Sequence, residues 1–156
     1  MNIPADSTSS VPRARLCQLA EVDRGKHGRW QARGLLAKHS SGYGLLDALQ
    51  AAQLDELSSR LGPKAAAVVW RRIREQLGIP GRRLEVVVDL ATFAAKLVRS
   101  DAQLVAALPR GQEVIVIELS PRLARARERF QQFVSSGGAS GAAEQESAEA
   151  ESEGTG

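Results

Sequence analysis

The spacing of apolar residues changes character midway along this 156-residue chain, and that change limits the folds open to it. From Leu45 onward leucines recur at helical intervals, with Leu46, Leu49, Leu54, Leu57 and Leu61 on one broad side and a stop at Gly62. Pro63 suits the first turn of a second helix, whose apolar face collects Ala66, Val69, Trp70, Ile73 and Leu77 before Gly78 ends it. Past the Pro80-Gly81 turn the pattern is different. Residues 84–90 and 113–119 are rich in Val and Ile and bounded by turn residues, so both read as strands. The expected class is therefore α+β: a helical N-terminal half with a helix-turn-helix-like hairpin, then a β-α-β-α unit with a small sheet.

The connection between the two strands has helical spacing at Phe93, Leu97 and Val98, then a fresh start at Ser100-Asp-Ala-Gln103, which has the form of a capping box. A helical crossover of about twenty residues permits parallel strands. Ser120-Pro121 signals a last helix over 121–134, with Leu123, Ala126, Phe130, Phe133 and Val134 as its buried stripe. Arg122, Arg125 and Arg129 follow one edge of that stripe. Upstream, 13–21 reads as a short helix, and 29–38 reads as either strand or helix among several turn-forming glycines. Two strands make a marginal sheet, so a third is expected from 29–38, from a second copy in a homodimer, or from a protein partner.

Residues 1–12 are expected to be a disordered leader, 13–134 a single folded domain and 135–156 a disordered acidic Gly/Ser/Glu tail. The net charge of +3 conceals an asymmetry, because residues 137–156 hold five Glu and no Lys or Arg. The remainder has 21 basic against 13 acidic side chains, a difference of +8. Seventeen of the basic residues are Arg, which binds phosphate bidentately where Lys binds it as a point charge. A GC-rich genome gives the same Ala and Arg bias with no function attached. The lone Cys17 leaves no internal disulfide and reads as an ordinary buried thiol, and His27 with His39 are too few for a zinc site. With no secretory leader and no apolar run of membrane-spanning length, the expected setting is soluble and cytoplasmic, away from membranes.

No phosphate-binding loop, dinucleotide fingerprint, His-Glu-x-x-His or Cys-x-x-Cys occurs, so neither a cofactor nor catalytic zinc is expected. Asp89 and Glu118, each at the end of a predicted strand, are the one pair able to hold Mg²⁺ in a hydrolase, and each also reads as an ordinary cap or strand-end residue. Binding chemistry is better represented. The two helices around Gly62-Pro63 have the spacing of a helix-turn-helix, in which the second helix exposes polar side chains to a DNA groove. Lys64, Arg71, Arg72 and Arg74 meet phosphates or guanine edges in that reading, Val68 meets a thymine methyl, and Arg82 and Arg83 extend the phosphate track. An antiparallel helical hairpin with a solvated arginine face looks the same. Trp70 reads as core. Trp30, among His27, Arg29 and Arg33, reads as core or as a stacking surface. The sequence thus points to a non-enzymatic, DNA-binding accessory or regulatory protein with the acidic tail as modulator. The alternative is an assembly module whose sheet a partner or second copy completes.

Overall fold

The computed structural model describes residues 9–76 and 83–137. Among them are six α-helices and a three-stranded antiparallel sheet, so the fold is α+β. The expected leader and tail fall largely outside the described residues, as do Gly78, the Pro80-Gly81 turn and Arg82. The chain divides into two compact units, Met1–Ala51 with Arg125–Gly156, and Ala52–Ala124.

In the first unit α1 (Arg13–Ala20) and α2 (Arg24–Ala32) pack against each other. Leu16, Cys17, Leu19, Trp30, Leu36 and Phe130 are buried. Val11 and Tyr43 exchange backbone hydrogen bonds of 2.8 and 2.9 Å in an isolated bridge. Gly42 beside it has φ 110°, and a Cβ there would stand 2.9 Å from the Ser10 side chain, so the close approach requires glycine. Residues 29–38, open between strand and helix in the sequence, divide between the end of α2 and a turn. Asp23 starts α2 by accepting a hydrogen bond from the Lys26 N–H at 3.0 Å.

α3 (Leu45–Leu61) and α6 (Ser120–Ser135) cross the division, each lending residues to both units. Leu49, Leu54 and Leu57 of α3 are buried as their spacing predicts, whereas Leu46 is exposed at 48%. In α6 Leu123, Ala126 and Phe130 are buried, while Phe133 and Val134 are only half-buried.

In the second unit α4 (Pro63–Ile73) buries Ala66, Val69, Trp70 and Ile73, the expected apolar face apart from Leu77, which lies outside the described residues, and ends in a single 3-10 turn, Arg74–Gln76. The sheet follows, with β1 (Glu85–Asp89) at its centre between β2 (Ala95–Val98) and β3 (Val114–Glu118). Its inner face is formed by Val86, Val88 and Ile117, with Val86 directly opposite Ile117.

Two expectations about this sheet are corrected. The missing third strand is Ala95–Val98, which the sequence reading placed in a helix, and it is supplied neither by 29–38 nor by a second chain. β1 and β3 are antiparallel rather than parallel, because the β1–β2 hairpin first reverses the chain and the connection through α5 (Asp101–Ala107) then carries it past β1 to the opposite edge, so that it is β2 and β3 that run parallel. The hairpin turn is built by Asp89, whose Oδ1 accepts from the Ala91 and Thr92 N–H groups at 2.8 and 3.4 Å, and by Phe93 at φ 56°. α5 begins as the capping box predicts, with Ser100 Oγ accepting from the Gln103 N–H at 3.2 Å. The reciprocal bond is donated to Gln103 Oε1 by the Arg99 N–H, one residue before the cap, at 2.7 Å. Ser120 differs from its expected role: its hydroxyl accepts from the Leu84 N–H and donates to the Leu84 carbonyl, pinning the start of α6 to the strand entry.

Candidate nucleic-acid interface

α3 and α4 meet at one residue. Gly62 has φ 83°, a left-handed conformation that costs glycine little, and Pro63 at the first helical position brings a preset φ and no unpaired N–H. The Ala66 N–H closes the first turn of α4 on the Gly62 carbonyl at 3.0 Å. This tight joint lets α4 bury one face completely while the other stays in solvent.

That outer face carries Lys64 and Arg71, both exposed, with Val68 half-buried between them and Arg72 exposed to one side. Arg71 has no carboxylate partner among the described residues. Arg72 donates from Nη1 to the Thr92 carbonyl at 2.9 Å, which draws the tip of the β1–β2 hairpin against α4 and leaves its other donors outward. Lys64 and Val68 also line, with Pro63 and Phe93, an open groove of about 430 Å³ that is mostly apolar. The surface is thus one helix face flanked by a hairpin tip.

Of the remaining predicted site residues, those that are described do not join it as free cations. Arg74 lies in the 3-10 turn and is half-buried. Arg82 is outside the described residues. Arg83 is held by Glu85 at 2.7 Å and Asp101 at 2.6 Å, and those hydrogen bonds, Glu85 first, push its already high pKa further up. A guanidinium with two carboxylates in place has little charge left for a phosphate. The α6 arginines are likewise committed: Arg122 to Asp55 at 2.8 Å, and Arg125 and Arg129 both to Glu21, at 3.2 and 2.8 Å.

Asp89 and Glu118 are not brought together. In the antiparallel register Glu118 lies opposite Glu85, four residues along β1 from Asp89. At roughly 3.3 Å per residue this separates the two carboxylates by about 13 Å, beyond the reach of one ion. Asp89 instead serves the hairpin turn. No group of three His, Cys, Asp or Glu side chains among the described residues is arranged to hold a metal.

Trp30 and Trp70 are both core, 7% and 1% exposed, so Trp30 offers no stacking surface. Cys17 is buried, and burial pushes its thiol pKa up against the opposing pull of Arg13 and Arg24. No helix among the described residues is long and apolar enough to cross a membrane. The chain matches no protein-family model and no curated protein sequence.

Proposed function

We propose that this protein is a non-enzymatic nucleic-acid-binding accessory or regulatory factor that meets duplex DNA through the outer face of α4. The observation that carries the reading is the division of α4 itself: Ala66, Val69, Trp70 and Ile73 are buried, while Lys64, Arg71 and Arg72 stand on the solvent side around Val68. A helix held rigidly by its apolar face, with cations and one small apolar group outward, meets the demands of groove docking. The hairpin tip held by Arg72 adds a second contact edge.

Anisotropy titration against a labelled DNA duplex at several salt concentrations tests it. Affinity is expected to fall steeply with salt, and Arg71→Ala with Arg72→Ala is expected to reduce the log–log slope by roughly 2, near 0.9 per lost phosphate contact. Absence of binding at low salt ends the proposal.

A second reading is favoured by one observation. β3 is an edge strand, and Val116 on it is 42% exposed. An edge of this kind pairs readily with another strand, so an assembly module completed by a second copy accounts for it. Light scattering decides: twice the 16.7 kDa chain mass at micromolar concentration supports that reading, and a monomer removes it.

A further inference from the structure

Positive charge is concentrated in the described part of the first unit, whose remaining residues, 1–8 and 138–156, bring Asp6 and five Glu and no Lys or Arg. Among described residues the first unit has ten Lys and Arg against four Asp and Glu, and the second has ten against eight. Much of the excess belongs to α2 and the residue that caps it. Lys26, Arg29 and Arg33 recur at i, i+3 and i+7 and are all exposed, while His27, Trp30 and Gln31 on the other side are buried. Neither Arg29 nor Arg33 has a carboxylate partner among the described residues, in contrast to Arg83, Arg122, Arg125 and Arg129.

The helix that presents them is built at a local disadvantage. Gly25 and Gly28 sit inside a nine-residue helix, where glycine is among the poorest formers. A Cβ at Gly25 would stand 3.5 Å from Arg29 Nη1 and 3.0 Å from Asp23 Oδ2, and one at Gly28 would stand 3.7 Å from Arg13 Nη1. Both guanidinium distances are ordinary van der Waals contacts, and only the Asp23 carboxylate would have to give way at Gly25. Asp23 is occupied with the cap of the helix. Attraction to the negative end of the helix dipole accounts for Arg29 and Arg33 near the C-terminus, but it disfavours Lys26 in the first turn, so the dipole alone does not explain the row.

We infer that this face of α2 is a second binding surface for the nucleic-acid phosphate backbone. It takes up the partner class proposed above but does not depend on the α4 row. Arg29 and Arg33 are one turn apart, a rise on the order of 6 Å, so each can engage a different phosphate of one strand. The exposed positions of α2 and its C-cap are Arg24, Gly25, Lys26, Arg29, Ala32 and Arg33, with no aromatic or large apolar group to enter a bilayer, which favours a phosphodiester backbone over a lipid surface.

The full chain, Arg29→Ala with Arg33→Ala, and Arg71→Ala with Arg72→Ala are titrated against the same labelled duplex across a salt series, with circular dichroism to verify folding. The α2 variant is expected to reduce the salt slope by roughly 2 and to lose at least about tenfold in affinity at low salt. Replacing the same two arginines by lysine keeps the charge and is expected to restore most of the slope. A wild-type slope in the folded α2 alanine variant overturns this inference, whatever the α4 variant does. A loss confined to the α2 variant upholds it and removes the α4 reading. Binding to anionic vesicles but not to duplex overturns both.

Discussion

His27 shows how one buried side chain sets a condition on the fold. It is 1% exposed, its Nδ1 has no hydrogen-bond partner, and its ring meets Tyr43 edge-on at 6.0 Å. Burial, reinforced by Arg13 and opposed by Asp47, lowers its pKa from 6.5 to about 4. Above pH 6.5 the imidazole is neutral in both folded and unfolded chains, so its protonation makes no difference to stability. As pH falls toward 4 the unfolded chain takes up a proton that the folded chain refuses, so stability declines, by up to roughly 3 kcal/mol, and levels off below that. Urea midpoints of wild type and His27→Leu at pH 7 and pH 4.5 measure this; the variant is expected to lose much of the pH dependence. The sequence placed His27 beside Trp30 but gave no sign of its burial, because the burial depends on Tyr43, sixteen residues away.

The long amphipathic elements α3, α4 and α6 were legible in the sequence, since each buries its stripe over three or more turns. Shorter elements were not. Phe93, Leu97 and Val98 fit a helical arc, but four residues of β2 give no alternation to contradict it, and the turn before them uses Asp89 and a left-handed Phe93 instead of the glycine that marks most hairpins. α2 was hidden for the opposite reason, because Gly25 and Gly28 read as breaks. The pairing of Arg83 with Asp101 and of Arg72 with Thr92 spans 18 and 20 residues, beyond any local pattern. The hairpin turn can be tested directly. Asp89→Ala removes the acceptor for two N–H groups and is expected to cost about 1 kcal/mol. Amide exchange in Ala95–Val98 should accelerate while α4 stays protected, and unchanged exchange in β2 would show that the backbone hydrogen bonds of Asp89 with Phe93 and Ala94 hold the turn without the carboxylate.

At the scale of the whole molecule the excess of cations over carboxylates was visible by counting, but which cations stand together in the described part of each unit emerges only once contacts assign each residue to a unit. The same assignment gives each unit a single tryptophan, Trp30 in one and Trp70 in the other, both sealed from solvent. Removing either indole by substitution with phenylalanine leaves one emitter that reports on one unit. Because α3 and α6 each run through both units, melting either unit would truncate two helices of the other, and short helices do not persist alone. The fluorescence midpoints of Trp30→Phe and Trp70→Phe, each compared with the far-ultraviolet transition of the same variant, are therefore expected to coincide. The two indoles then serve as built-in gauges of cooperativity, and a signal from one that moves ahead of the other would reveal a half-melted intermediate.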